Sequence, residues 1–479
     1  MFMFKIKRYT SAGFLGLSLI ATGCKVPKIV ESTETGPFPA SYGVSSDTAN
    51  ISTVQWRNFF TDKNLISLID TALKNNQELL ITLQEIEIAK NDIRVRKGQL
   101  LPMVAARVGA GIEKVGRYTS QGAGDASTEI TPGKDVPDPL PDFGASFSAN
   151  WEVDIWKKLR NAKKAAITRY LATIEGKNFV LTNLISEVAG SYYELLALDN
   201  QLAIVRQNIQ LQKNALEIVK AQKEAARITE LAVQKFEAEV LKTQSLEFDI
   251  LQQIKETENE INFLSGRYCG EIPRDKSDFL NLTPNAASAG IPSQLLANRP
   301  DIKRAELELT AAKLDVKVAR AEFYPSLGIT GALGLQAFKP SYLVKLPESL
   351  LYSLTGDLAG PLINRNAIKA EFYSANSRQL QALYNYQRTV LNAYLEVSNR
   401  LAKIENLGKS YVLKAKQVEA LTRSINISND LFKSARADYL EVLMTQRDAL
   451  EARLELIETK KEQLKAVTGI YRNLGGGWK

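Results

Sequence analysis

Ala145-Ser-Phe-Ser-Ala-Asn-Trp-Glu-Val-Asp-Ile155 places an apolar residue at every odd position and Ser146, Ser148, Asn150, Glu152 and Asp154 between them. A period of two marks a β-strand with one apolar and one polar face. A second stretch repeats the pattern: Leu327, Ile329, Gly331, Leu333 and Leu335 alternate with Ser326, Gly328, Thr330, Ala332 and Gly334. Residues 103–112 and 350–358 complete two strand pairs, and the turn-rich stretches Thr119–Asp142 and Phe338–Glu348 join them as exposed loops. A soluble sheet with one wet face would give the same alternation. Strands of about 9–11 residues also suit a membrane barrel. Four strands cannot close one, because the smallest use about eight. The membrane reading therefore brings oligomerisation with it.

The N-terminus favours the membrane. Residues 1–23 read as a signal peptide: Lys5-Ile-Lys-Arg8, a short apolar run from Ala12 to Ile20, then Ala21-Thr-Gly before Cys24. That run is too short to span a bilayer. Cys24 after small residues resembles the bacterial lipoprotein box, with Ala21 where leucine is usual. A plain signal peptide that happens to precede a cysteine is the alternative. Beyond the leader no apolar run reaches spanning length, so a crossing would need strands in a closed barrel.

Composition removes whole classes of chemistry. The 479 residues are 45% hydrophobic and 24% charged, values of an ordered protein. There is no histidine, which takes away the commonest general base and transition-metal ligand. Two cysteines, Cys24 and Cys269, leave no disulfide scaffold and no zinc-cysteine cluster. Cys269 is expected to be a quiet, half-buried thiol. The net charge of +8, three of its positives in the leader, gives no argument for nucleic acid. No cofactor and no metal site are expected.

The remainder is helical and duplicated. Ala89-Lys-Asn-Asp-Ile-Arg-Val95 with Leu101-Pro102 recurs as Ala312-Lys-Leu-Asp-Val-Lys-Val318 with Tyr324-Pro325, both at an offset of 223. The expected order is a lipidated tether over 24–61, a first repeat over 62–270, a linker over 271–293 and a second repeat over 294–479. The first repeat holds a helical pattern over 62–98, a strand pair near 100–156, a long helix over 157–226 and a returning helix over 230–266. The second holds a helix, a strand pair near 323–364, a long helix over 365–435 and a returning helix over 439–474. The second long helix carries apolar residues at Leu391, Tyr394, Leu401, Ile404, Leu407, Tyr411, Ala415, Val418, Leu421, Ile425, Phe432 and Ala435; with Ser398 and Ser428 added, the mean step is near 3.4, the spacing of a coiled-coil seam. Both long helices end alike, in Ala226-Arg-Ile-Thr-Glu-Leu-Ala-Val233 and Ala435-Arg-Ala-Asp-Tyr-Leu-Glu-Val442. Thr229 and Asp438 are the N-cap candidates of the returning helices. Each long helix is expected to reverse in a tight hairpin.

Five segments in order resemble the TolC-like outer-membrane efflux factors, in the lipoprotein branch serving multidrug and metal efflux. They are Trp56-Arg-Asn-Phe-Phe-Thr-Asp, Trp151-Glu-Val-Asp-Ile-Trp, Asn298-Arg-Pro-Asp-Ile, Ala321-Glu-Phe-Tyr-Pro-Ser-Leu and Leu474-Gly-Gly-Gly-Trp478. The resemblance implies a mainly α fold with membrane β: a homotrimer whose four strands per chain build a twelve-stranded transmembrane barrel, and whose helices form a hollow α-barrel. It implies a lipid-anchored protein of the bacterial outer membrane extending into the periplasm. It also implies a passive exit duct, without enzymatic activity, fed by a periplasmic adaptor and an inner-membrane RND-type pump. The family's gate and adaptor-docking surface map to Arg227, Thr229 and Glu230 on the first tip, and to Arg436, Asp438 and Tyr439 on the second. The family's acidic ring maps to Asp438. Glycine is usual at the tips, whereas Ala226 and Ala435 stand here. Alanine resists positive φ, so a differently formed turn is expected.

Three rival readings fit parts of the same sequence. A protein-secretion duct fed by an ATP-driven transporter belongs to the same class. A lipid-anchored coiled-coil spacer explains the leader and the heptads and leaves the alternating strands unexplained. A hydrolase lacks any supporting constellation.

Overall fold

The computed structural model describes residues 39, 41–42, 50–275, 279–283, 288–361, 363, 365–434 and 436–478. The expected signal peptide and Cys24 lie outside them, as does Ala435. Seven helices carry most of the chain: α1 Lys63–Asn75, α2 Gln77–Gly98, α3 Lys158–Glu224, α4 Glu230–Leu264, α5 Pro300–Ala321, α6 Asn366–Lys433 and α7 Tyr439–Asn473. Four long strands, β1 Met103–Glu113, β2 Leu140–Val153, β3 Ser326–Ala337 and β4 Leu350–Ala359, complete the main elements. The loop after β1 also holds a short helix, Ser120–Asp125, and a small hairpin, Glu129–Thr131 with Lys134–Asp135. The helices α2, α3 and α4 have 22, 67 and 35 residues, and α5, α6 and α7 have 22, 68 and 35. At 1.5 Å per residue each long helix measures about 100 Å. Among the described residues no helix is long and apolar enough to cross a membrane.

The helical pattern over 62–98 is two helices. Asn76 stops the first with extended backbone, and its side chain then serves both sides of the break. Its oxygen accepts from the Leu79 amide at 3.0 Å, and its Nδ2 donates to the Leu264 carbonyl at 3.0 Å.

Contacts divide the chain into two units that do not follow the order of the sequence. The first takes Ile88–Tyr170 with Leu307–Leu383 and contains the sheet. Its strands lie in the order β1-β2-β3-β4, antiparallel throughout. The register aligns like with like. Ala106, Phe147, Leu333 and Tyr352 form one row, and Val104, Ala149, Gly331 and Leu354 another on the same face. Ala105, Ser148, Ala332 and Ser353 form a row on the opposite face. The apolar face is bare: Val108 is 85% exposed, Phe147 63%, Leu333 57%, Tyr352 75% and Leu354 81%. A soluble sheet would bury that face under another layer. At Gly334 the strands approach so closely that a Cβ would stand 2.4 Å from that of Ser146.

The second unit takes Glu34–Glu87, Leu171–Glu306 and Tyr384–Lys479, and holds the largest core. The motif beginning at Trp56 belongs to it. Phe59 stacks on Tyr471 with ring centroids 4.2 Å apart, and Trp56 and Phe60 join Leu65, Ile69, Tyr192 and Ile457 around them. Asp62 caps α1 through the Asn64 amide at 2.7 Å and also accepts from the Tyr192 hydroxyl at 2.7 Å. The Asn298-Arg299 motif meets the C-terminus here. Arg299, buried, donates to Asp301, to Glu396 and to the Asn473 carbonyl, and the Trp478 indole donates to the Asn298 carbonyl at 3.3 Å. Along α6 the expected seam positions Tyr394, Leu401, Ile404, Leu407, Tyr411, Val418, Ile425 and Phe432 are half-buried, while Leu391 is exposed. Cys269 is a free, exposed thiol, not the half-buried one expected. It sits with Tyr268, Gly270 and Glu271 in a short exposed stretch between the end of α4 and the buried Ile272.

Candidate functional site

The two hairpin tips belong to the second unit and adjoin each other. Leu216, Val219, Ala232, Val233, Phe236 and Val240 of the first hairpin form a cluster, against which Tyr439 and Leu443 of the second pack. Tyr439 is thereby half-buried, while Arg227, Thr229, Glu230, Arg436 and Asp438 are exposed.

The first turn corrects the expectation about alanine. Ala226 has φ +54, in the left-handed region. Its amide donates to the Lys223 carbonyl at 2.8 Å, and the Arg227 amide donates to Gln222 at 2.9 Å. This is the Schellman ending of a helix, whose left-handed position usually takes glycine. The far end of the same hairpin follows that habit, with Gly266 at φ +68. Alanine here accepts the geometry that was expected to exclude it, because two end-closing hydrogen bonds fix the turn. At the second tip the Arg436 amide donates to Leu431 at 2.8 Å, the same long-range closure.

The caps differ. Asp438 accepts from the Tyr439 amide at 2.6 Å and begins α7. Thr229 occupies the N-cap position of α4 with extended backbone, but its side chain makes no capping bond. Glu230 does the electrostatic work instead. It pairs with Lys223 across the turn and accepts from Gln234 Nε2 at 2.9 Å. The hydrogen bond from Lys223 holds the Glu230 carboxyl below its ordinary range, and the same bond raises Lys223. Lys223 was not singled out from the sequence. Its signal was its place in the last turn of α3, which a tight reversal sets opposite the first turn of α4. Among the described residues, the ion pair at the first tip closes within its own hairpin.

In the first unit, Trp151-Glu-Val-Asp-Ile-Trp builds the strand-to-helix junction. The Trp151 indole donates to the Leu100 carbonyl at 3.1 Å, and the Trp156 indole to the Pro325 carbonyl at 2.7 Å. Trp156 also stacks on Tyr324 at 4.7 Å. Asp154 receives the Leu159 and Arg160 amides, both at 3.0 Å, and so starts α3. Burial would raise its carboxyl, but the Arg160 side chain and these amides outweigh burial and lower it. The tryptophans thus tie the ends of both strand pairs to neighbouring backbone, with amphipathic rings suited to a membrane–water boundary.

A model of the outer membrane efflux protein family matches residues 68–267 and 291–476. The chain belongs to that family. Members of this family are transport proteins rather than enzymes, and the chain is an efflux protein of the outer membrane. It is 30% identical over 425 residues to the pyoverdine export outer membrane protein OpmQ of Pseudomonas aeruginosa, covering 88% of this chain and 87% of that one. It is 26% identical over 471 residues to the cation efflux system protein CusC of Escherichia coli, covering 96% and 97%. The open-state structure of the Neisseria gonorrhoeae MtrE outer membrane channel shares the fold, with a TM-score of 0.81 at 21% identity, over 95% of this chain and 98% of that one. No described group of three or more Cys, Asp or Glu is arranged to hold a metal ion.

Proposed function

We propose that the chain is one third of a passive exit duct of a tripartite efflux system, conducting small molecules such as drugs or metal ions outward. One observation carries this reading: among the described residues, a four-stranded sheet with both edges free and one wholly apolar face bare. Free backbone edges are too costly in lipid, so the sheet must be continued by further strands. Three copies supply twelve, within the range that closes. The bare face then meets lipid and the polar face lines water. The matched lengths of α2–α4 and α5–α7 support a duplicated chain of two repeats, over 62–270 and 294–479. The long helices continue the duct as a hollow α-barrel. At the tips, Arg227, Thr229, Glu230, Arg436, Asp438 and Tyr439 form the periplasmic gate and the surface for an adaptor served by an inner-membrane RND-type pump. Cys24 carries the lipid anchor. The duct performs no covalent chemistry and needs no cofactor.

Purification from membranes in detergent tests this. Trimers that dissociate only on heating, ion conductance in planar bilayers and a lipid-bearing Cys24 by mass spectrometry are expected. A monodisperse monomer stable without detergent overturns the reading.

A further inference from the structure

On the polar side of the sheet, where the strands meet α2, α3 and α5, a cavity of about 740 Å³ opens within the first unit. Its wall is unlike a plain wet surface. Leu101 and Met103 are large apolar side chains left exposed, and Leu159 and Val318 extend the same wall. Met103 pairs in register with Asn150, on the face that carries Ser148 and Ser353. Most of the charge around the cavity is neutralised in place. Arg96 is engaged by Asp92 at 3.5 Å, and Lys158 by Glu152 at 2.6 Å. Glu322 is exposed, faces this cavity and an adjoining one of about 220 Å³, and pairs with no described residue. One uncompensated carboxylate beside an apolar wall defines a ligand: an apolar body bearing one positive charge.

We propose that this cavity is a resting site in the duct wall for a small organic cation, its body on Leu101, Met103, Leu159 and Val318 and its charge on Glu322. The volume lies in the range of drug-sized ligands. An anion of the same shape is repelled by Glu322, and a small hydrated ion gains nothing from the apolar wall. The inference rests on the duct reading, which makes the polar side the lumen.

The full chain in detergent is titrated with ethidium, whose fluorescence rises on leaving water, with empty micelles as the blank. Saturable binding is expected, displaced by benzyltriethylammonium and not by benzenesulfonate. Glu322→Gln weakens it about fivefold, the upper range for an exposed charge pair. Met103→Ser weakens it with the charge intact. Equal binding by Glu322→Gln, equal displacement by the two competitors, or no saturable binding overturns the site. Conductance of the same preparations separates the two readings. A conducting wild type without binding retires the site alone, and a wild type that fails to conduct retires the duct.

Discussion

Ala226 holds a conformation that costs an L-residue about 1–2 kcal/mol relative to glycine. Ala226→Gly should therefore stabilise the first hairpin by about 1 kcal/mol, read as a higher thermal midpoint, whereas Ala226→Val should lower it. Glu194 makes a second residue-scale case. It accepts from Lys461 at 2.8 Å and from Lys465 at 3.0 Å, and so joins α3 to α7. Burial alone would raise its carboxyl; the two lysines outweigh burial and lower it from the ordinary 4.5. A carboxyl depressed in the fold contributes stability above its ordinary value and loses it as pH falls through the folded value. Glu194→Gln should cost about 2 kcal/mol at pH 7 in chemical unfolding, and the gap from wild type should close below pH 4.5.

At the scale of elements, the two faces of the sheet predict opposite responses to one substitution. Leu354→Lys places a charge on the bare apolar face and should cost about 2–4 kcal/mol near the middle of a bilayer, with loss of membrane assembly. Ser353→Lys, one residue away on the polar face, should assemble normally; equal loss in both would contradict the assignment of the faces. For the gate, Asp438→Ala removes the cap of α7 and the tip carboxylate, and should raise single-channel conductance; unchanged conductance would retire Asp438 as a gate residue. The strands were legible because a period of two survives without tertiary context, as Phe147 and Leu333 show. The break at Asn76 was not, because its reason is a bond to Leu264, nearly two hundred residues away. The turn at Ala226 was misread because propensity ranks residues one at a time, while two backbone hydrogen bonds decide the conformation there. Lys223 was missed for a related cause: its partner appears only once the helix has reversed.

For the whole molecule, the sequence reads as two halves in succession, but contacts sort the chain differently. Each spatial unit draws on both halves; in the first, β2 and β3, one from each, pair along eleven positions from Val153 with Leu327 to Phe143 with Ala337. That pairing was not legible, since a strand's pattern names its faces and not its neighbours. The motifs read as family signatures prove to be points of attachment: Trp56 and Phe59 in the core against Tyr471, and Asn298 under Trp478.

Among the described residues the free margins of the sheet, β1 and β4, are different strands, one from each proposed repeat. In the barrel proposed above, two molecules cannot satisfy each other by self-complementary contact, because joining β1 to β1 would invert one of them in the bilayer. In the proposed duct, growth therefore runs head to tail, β4 of one molecule to β1 of the next, until rotation returns it to the start. Such a ring has no tolerance for a faulty link. A chain with proline in the middle of β1 could still offer β4 and terminate every ring it enters. Co-expressed with the wild type, it should poison assembly well beyond its own share.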